Sequence, residues 1–332
     1  MGVVYHINKP LQKYSYSGLN CYEQCPFKYF LQYIKKHYIY VDSLAADFGT
    51  LCHYILEHIG LDLKSGVKPD YEKYKQDFIH INIPKKDAFD KDGGIYGIEV
   101  LKKKYPRDFF SADEKGVSFF TKSEFFLKRG IYRLEEFMKT HPGFKVWACE
   151  QYFDVTFNDH RFGGYIDRVL YNEKTGEYII EDIKTKDHPF SDQELITPLQ
   201  FVIYVKALMD ITGAPAEKIT CVYDLPICDM RQDAGTNGFL KRGLKKIDRL
   251  FDDMKAGKWE PNPTPLCWWC QFNHGNPNTP EQGKGLCPYY SLWRPDNKTR
   301  DVANLWEGLD RHDIIVKRLD NPEKDCIIDL DF

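Results

Sequence analysis

Long apolar runs are missing from this 332-residue chain. No stretch approaches the ~20 consecutive apolar residues that a membrane-spanning helix needs, and the first residues lack the apolar segment of a secretory leader. The sequence therefore predicts a cytoplasmic protein with no membrane contact. A reducing compartment disfavours a disulfide framework, so any cluster among the ten cysteines indicates metal ligands instead.

An excess of positive charge is also absent. Lysine and arginine number 46 against 49 aspartates and glutamates, which gives a formal net charge of -3. Such a chain has no global positive field, and a nucleic-acid binder of this balance must concentrate its cations locally. The segments rich enough in lysine and arginine to do so are 102–107, 122–129 and 241–249.

An ordered set of polar residues stands in the middle of the chain. Asp182 and Lys184 follow a β-rich run and are two residues apart, so they point to the same face of a strand. Asp167 ends the preceding apolar run, and residues 172–176 are a turn-type connection. The pattern predicts a hairpin that brings two carboxylates side by side, with a lysine next to them.

These two carboxylates indicate a divalent cation. Two acids that stay ionised in one place need a positive partner, and hard oxygen ligands favour Mg²⁺ or Mn²⁺. Metal-activated water attacking a phosphodiester is a natural use of such a site. The alternative is a solvated strand face whose cross-strand pairs contribute ~0.2–1 kcal/mol. Two further pairs favour the metal site: Gln200 and Tyr204 share a helix face, and His53 follows Gly49 by one helical turn.

Taken in order, these motifs resemble the PD-(D/E)XK nuclease superfamily and, within it, the RecB-like exonuclease branch. The resemblance spans roughly residues 15 to 290, and isoleucine stands at position 166 where the superfamily name has proline. The opening helix with its Cys-Pro pair also resembles that branch. The matching motifs are GxxxH at Gly49–His53, the GxxD aspartate Asp167, (D/E)xK at Asp182 and Lys184, and QxxxY at Gln200 and Tyr204.

The resemblance implies a ligand set for the catalytic ion. Asp167 and Asp182 would bind Mg²⁺ or Mn²⁺ together with the backbone carbonyl of Ile183. His53 would add a nitrogen ligand. A histidine on a mostly apolar helix is otherwise an ordinary core or surface residue, and its register with the other motifs favours the ligand role.

The resemblance also implies roles for the remaining residues. Lys184 would orient or help to deprotonate the attacking water, while Gln200 and Tyr204 would hold the scissile phosphate. Glu150, on the preceding strand, could assist by contacting a ligand, with a plain exposed glutamate as the alternative. Glu181 points to the other side of its strand, so Glu181→Ala is expected to be nearly silent.

The fold that the resemblance implies is α/β. It is an αβββαβ nuclease core with helical insertions and a cysteine-ligated metal staple. Periodicity predicts one helix near 120–140, three strands at 145–157, 161–171 and 177–185, a helix at 192–212, a strand at 218–225 and a basic helix at 238–257. The chain is predicted to be a single nuclease domain, 1–332, with N-terminal helices in 15–61, a helical insertion in 67–140, the catalytic core in 145–257, a cysteine region in 258–292 and a helix with an acidic tail in 298–332.

A CxxC motif at Cys267 and Cys270 is followed by Cys287. In RecB-like relatives of the AddB type, one cysteine before the nuclease core joins three after it to hold a [4Fe-4S] cluster, and Cys25 occupies the first position. Thiolate ligation suits iron–sulfur or zinc alike. Residues 271–286 form a longer gap than the family usually has, and His274 within it offers a structural Zn²⁺ site as the alternative.

The sequence therefore predicts a metal-dependent DNA exonuclease that acts on single-stranded or duplex ends. No GxxxxGKS helicase motif accompanies it, which favours phage or mobile-element recombination or replication. The alternatives are a catalytically idle DNA-binding scaffold, which the complete motif set disfavours, and an endonuclease of the same fold. The acidic end, 329–332, resembles the tails of single-strand-binding proteins and suggests a replication or single-strand-binding protein as partner.

Overall fold

The computed structural model of the protein describes residues 12–39, 41, 43–84, 94–113, 115–234, 238–272 and 286–287. The predicted acidic tail, the C-terminal helix and His274 lie outside these residues. The chain divides into two compact units. The smaller unit comprises Met1–Asp42, Asn158–Arg161 and Lys246–Phe332, and the larger one comprises Ser43–Phe157 and Phe162–Lys245.

Short helices form the first part of the smaller unit that the structure describes. Ser15 caps the first of them, because its hydroxyl accepts a hydrogen bond from the Gly18 N–H at 3.1 Å. Pro26 then starts a second helix, since proline fits the first helical position but cannot continue a preceding helix. The elements are β1 Lys13–Tyr14, α1 Tyr16–Gln24, α2 Pro26–Tyr29 and a π-helical turn, Phe30–Ile34.

The larger unit begins with a long helix, α3 Leu44–Lys64, which Ser43 caps. The apolar residues on one face of this helix are all buried: Leu44, Phe48, Leu51, Ile55 and Ile59. The helical insertion follows. It contains α4 Tyr71–His80, β2 Asn82–Ile83, β3 Ile95–Tyr96, α5 Ile98–Lys104, α6 Phe119–Lys128 and α7 Arg133–Thr140.

The prediction of one continuous helix near 120–140 is wrong. A 3₁₀ turn, Gly130–Tyr132, separates α6 from α7. Gly130 is in close contact with Pro226, and a Cβ at this position would lie 2.6 Å from the Pro226 carbonyl oxygen. The break therefore depends on a contact between residues far apart in the sequence.

A mixed sheet forms the centre of the larger unit, as the α/β prediction expected. Its strands follow the order β5-β6-β7-β8, and β4 pairs with β5. β5 and β6 are antiparallel, β6 and β7 are parallel, and β7 and β8 are antiparallel. The strands are β4 Phe144–Phe157, β5 His160–Asn172, β6 Glu177–Ile183, β7 Ile219–Leu225 and β8 Met230–Asp233, the last of which sequence patterns did not predict.

Two helices form the crossover between the parallel strands β6 and β7: α8 Asp192–Leu195 and α9 Leu199–Thr212. The segment Asp192–Thr212 has the length and composition to cross a membrane. In the folded unit, however, α9 buries most of its residues, and apolar core helices pass the same test. The last helix described is α10 Leu240–Lys255.

Candidate active site

The pairing of β5 with β6 brings the two predicted catalytic carboxylates together. Arg168 lies opposite Glu181, so Asp167 and Asp182, the adjoining residues on the two strands, meet where the pairing ends. The Asp167 carboxylate accepts a hydrogen bond from the backbone N–H of Ile183 at 2.7 Å. This bond holds Asp167 against the end of β6.

Asp182 is fully buried beside Lys184. The Lys184 Nζ lies 2.6 Å from the Asp182 Oδ2, while the Oδ1 has no hydrogen-bond partner among the residues that the structure describes. Burial raises the pKa of Asp182 to about 6; the Lys184 ammonium lowers this pKa, and the Asp167 carboxylate raises it. A buried carboxylate with an unsatisfied oxygen next to a second carboxylate is suited to a divalent cation.

Three side chains from different elements converge at the same place. His53 from α3, Glu150 from β4 and Asp167 from β5 offer ligand atoms that all lie within 4.8 Å of one another. The His53 Nδ1 is 3.7 Å from the Asp167 Oδ2. One imidazole nitrogen and two carboxylates form a donor set that fits a first-row divalent ion.

The sequence predicts Glu150 as an assisting residue or a plain exposed glutamate, whereas the structure places it directly beside His53 and Asp167. Its backbone has a φ of 46° in the middle of β4, which costs about 1–3 kcal/mol for a residue other than glycine. Before Glu150 in the sequence, Val146 and Ala148 are buried, and after it Phe153 and Val155 are buried. The buried positions are even-numbered before Glu150 and odd-numbered after it, so the alternation of buried and exposed residues changes phase there. One extra residue in a strand, a β-bulge, produces this change and redirects the side chain.

The two QxxxY residues form a buried pair on α9. The Gln200 Nε2 donates to the Tyr204 hydroxyl oxygen at 2.8 Å, and the Phe153 ring packs edge-on against Tyr204 at 5.8 Å. Burial raises the pKa of Tyr204, and the negative charges of Asp182 and Asp167 raise it further. Tyr204 therefore keeps its proton at neutral pH and can act as a hydrogen-bond donor.

Glu181 belongs to a buried ion-pair network that the sequence did not predict. It points away from Asp182, as expected, but it is fully buried. Its carboxylate contacts the guanidinium groups of Arg168 and Arg231, and the Arg168 Nη2 also donates to Asp224 at 2.8 Å. The substitution Glu181→Ala would remove the shared partner of two arginines, so we expect it to lower stability rather than to be silent.

A second group of predicted ligands lies in the smaller unit, around a cavity of about 50 Å³. The backbone N–H of Asn262 points at the Cys25 Sγ at 3.5 Å, and that of Thr264 points at the Cys267 Sγ at 3.4 Å. Lys28 also lines the cavity. The cavity is lined by all four cysteines that the sequence assigned to a cluster, Cys25, Cys267, Cys270 and Cys287.

A family model described as the PD-(D/E)XK nuclease superfamily matches residues 13–274. Among solved structures, the chain is similar to a "Putative exonuclease" from Eubacterium rectale, with a TM-score of 0.42 and 16% identity over 82% of this chain and 94% of that chain. No curated protein matches the chain. Because the family match covers most of its length, the chain belongs to the PD-(D/E)XK nuclease superfamily.

Proposed function

We propose that this protein is a metal-dependent DNA exonuclease with a place in phage or mobile-element recombination or replication. The observation that carries the proposal is the convergence of His53, Glu150 and Asp167 beside the buried pair of Asp182 and Lys184. Membership of the superfamily supplies the reaction class, the hydrolysis of phosphodiester bonds in DNA. The resemblance of the GxxxH and QxxxY motifs to the RecB-like branch supports an exonuclease.

The donor set fits Mg²⁺ or Mn²⁺. The side chains that would hold the ion are His53, Glu150, Asp167 and Asp182, together with the predicted carbonyl ligand of Ile183. The unsatisfied Oδ1 of Asp182 supports this fit, since a buried carboxylate oxygen needs a hydrogen-bond donor or a cation. A bound ion supplies an activated water at neutral pH and neutralises charge on the phosphate.

The protein groups around the ion have separate tasks. Asp182 holds the Lys184 ammonium at 2.6 Å and so fixes its position. Lys184 can then orient the attacking water and balance the charge that develops on the phosphate oxygens. Gln200 fixes the hydroxyl of Tyr204, which stays protonated and can donate to the same phosphate. Positioning of this kind is the main way in which side chains accelerate phosphoryl transfer.

Replacing Lys184 by alanine is expected to lower the cleavage rate by about 10²–10³, the usual cost of removing one group that stabilises transition-state charge. The assay is the release of nucleotides from end-labelled single-stranded and duplex DNA with Mg²⁺ or Mn²⁺, repeated in EDTA, where cleavage should stop. Lys174→Ala is the matched control, since Lys174 is an exposed residue in the β5–β6 turn.

Near-normal cleavage by Lys184→Ala would show that the catalytic strand has been assigned wrongly. Circular single-stranded DNA tests the mode of attack, because an exonuclease needs an end. Cutting of closed circles would replace the proposed exonuclease by an endonuclease of the same superfamily. A wild-type protein that binds DNA but cuts neither form would support the idle scaffold.

We further propose that the four cavity cysteines hold a [4Fe-4S] cluster in the smaller unit. Their thiols line one cavity although Cys25 and Cys267 are far apart in sequence. Backbone N–H groups directed at two of the sulfurs are the kind of hydrogen bonds that stabilise cluster thiolates. Ligation would also close a long loop, and the entropy removed from the unfolded chain grows as ~(3/2)RT ln n.

Protein purified without oxygen is therefore expected to be brown, with visible absorbance that bleaches on reduction. Cys25→Ser should lose the colour and lower the melting temperature, whereas Cys228→Ser, at a half-buried position in the larger unit, should keep both. Absorbance, iron analysis and thermal unfolding make the measurement. A colourless protein with one tightly bound zinc, sensitive to His274→Ala and indifferent to Cys25→Ser, would decide for the zinc site.

A further inference from the structure

Lys184 lies one residue beyond the end of β6, which stops at Ile183. Its backbone N–H donates to the carbonyl oxygen of Asp224 on β7 at 2.9 Å. The two strands are parallel, with Ile183 paired to Asp224, so this hydrogen bond extends their ladder past the end of β6. The end of a strand opens more readily than its centre, because fewer contacts hold it. A side chain at such a position keeps one place only if its backbone is held by a further constraint.

The Asp224 side chain supplies that constraint. It is buried, and each of its carboxylate oxygens accepts a hydrogen bond from an arginine. The Arg133 Nε of α7 donates to the Oδ1 at 3.0 Å, and the Arg168 Nη2 of β5 donates to the Oδ2 at 2.8 Å. Hydrogen bonds between charged groups are roughly twice as strong as those between neutral groups. Asp224 is therefore held from two sides by two different elements of the fold.

These contacts lie on the face of the sheet that is opposite to Asp182. Arg168 is paired with Glu181 in the antiparallel register, and Asp224 is paired with Ile183 in the parallel one. Paired residues share a face and neighbours along a strand point to opposite faces, so these four side chains point away from Asp182. Arg168 contacts both Glu181 and Asp224. Its planar guanidinium thus reaches from β5 behind β6 to β7 and holds the three strands in register.

We infer that Asp224 is a positioning residue for the cleavage reaction, because its clamped side chain fixes the carbonyl oxygen that holds the backbone of Lys184. This inference rests on the proposed function, which gives Lys184 the task of orienting water and balancing phosphate charge. The Lys184 Nζ lies 2.6 Å from the Asp182 Oδ2. A shift of the Lys184 backbone would move this ammonium away from its carboxylate and from the reacting phosphate. Asp224 acts through Lys184 and needs no contact with the substrate.

The test replaces Asp224 by asparagine, which has nearly the same size but carries no charge and presents one amide NH₂ group to the arginines. Hydrogen exchange of the Lys184 amide is followed by NMR in EDTA, with the amide of Ile180 in the middle of β6 as the internal reference. We expect exchange at Lys184 to become about tenfold faster, because the strand end opens more easily, and exchange at Ile180 to stay unchanged.

Cleavage of end-labelled DNA with Mn²⁺ gives the second readout for the same variant. The kcat of folded Asp224→Asn should fall about 10–10²-fold, the scale of a small misplacement of a catalytic group. The KM for DNA should not change, because the substitution leaves the groups that face the substrate in place. A loss of stability alone would lower the melting temperature without this difference between kcat and KM.

Asp229→Asn is the matched control. Asp229 is the other carboxylate that Arg133 contacts, so this substitution removes the same charge from the same network. Asp229 lies in the turn between β7 and β8, outside the pairing with β6. Asp229→Asn should therefore lower the melting temperature but keep the wild-type exchange at Lys184 and the wild-type kcat.

Unchanged exchange of the Lys184 amide in Asp224→Asn overturns the inference, and so does a normal kcat in a variant whose exchange is faster. An equal rise in exchange with Asp229→Asn also overturns it, since the effect would then belong to the network as a whole. If Asp224→Asn does not fold, Arg133→Lys carries the test. Lysine keeps the charge without the rigid fork, so exchange at Lys184 should again become faster.

The exchange measurement needs neither metal nor DNA, which separates the inference from the proposed function. A wild-type protein that never cuts DNA would refute the nuclease. Exchange at Lys184 in Asp224→Asn would still decide whether Asp224 anchors the end of β6.

Discussion

Asp182→Asn is expected to abolish DNA cleavage and leave the protein folded. Asparagine has nearly the same size, but it removes the negative charge that would bind the metal and that holds Lys184 at 2.6 Å. Metal-assisted catalysis contributes several kcal/mol to the transition state, and ~4 kcal/mol corresponds to about a thousandfold in rate. The measurement is kcat/KM on end-labelled DNA with Mg²⁺ or Mn²⁺.

Thermal unfolding separates this catalytic role from a structural one. Without metal, the wild-type protein buries an ionisable carboxylate close to a second one, an arrangement that costs stability. In EDTA, Asp182→Asn should therefore melt at the same temperature as the wild type or above it. Added Mn²⁺ should stabilise the wild type, because a ligand that binds only the folded state raises its stability, and should stabilise the variant much less.

Asp210→Asn is the matched control, since Asp210 is an exposed aspartate on α9 of the same unit. It should cleave DNA, melt and respond to Mn²⁺ like the wild type. Normal cleavage by Asp182→Asn would remove Asp182 from the catalytic group. A variant already unfolded in EDTA would show instead that the carboxylate is needed for folding.

The strands and the carboxylates they carry were predictable because their signals are local. Alternation and a turn sequence are enough to place β5 against β6, and that pairing brings Asp167 and Asp182 together. The apolar face of α3 is a local pattern as well, and it fixes the side from which His53 approaches. What such patterns do not contain is the conformation at a single residue.

Glu150 shows the limit of prediction from local sequence patterns. The direction of its side chain depends on a left-handed φ in the middle of β4, where the alternation of buried residues changes phase between Ala148 and Phe153. The break between α6 and α7 depends on the contact of Gly130 with Pro226. Such contacts between distant residues override local helical periodicity, and no window of sequence includes both partners.

Strand β8 is also invisible to local sequence patterns, and missing it hides the environment of Glu181. Three of its four residues are polar and all four are exposed or half-buried, so hydrophobic alternation does not reveal it. It pairs with β7 and brings Arg231 to the buried face of β6. Alternation correctly indicates that Glu181 points away from the catalytic face, but it cannot show that two arginines contact its carboxylate there. The sequence therefore gives the direction of the side chain and not its environment.

Glu181→Ala is consequently expected to destabilise the protein strongly, by about 3–5 kcal/mol, the usual cost of breaking a buried ion pair by removing one partner. The substitution keeps the contact of Arg168 with Asp224 but removes the carboxylate that Arg168 and Arg231 both contact. Urea unfolding followed by circular dichroism measures the change. Glu177→Ala on the same strand, at an exposed position, should stay within ±0.5 kcal/mol of the wild type.

A double-mutant cycle shows whether the loss comes from unpaired charge. Arg231→Met removes the cation that Glu181→Ala leaves unpaired and puts an apolar side chain of similar length in its place. The double variant should therefore lose less stability than the sum of the losses in the two single variants. A Glu181→Ala protein as stable as Glu177→Ala would mean that the network does not hold β6. A variant with normal stability and normal cleavage would support the first expectation, that Glu181→Ala is silent. The register of β6 and the catalytic geometry would then both be independent of the ion pairs that Glu181 forms.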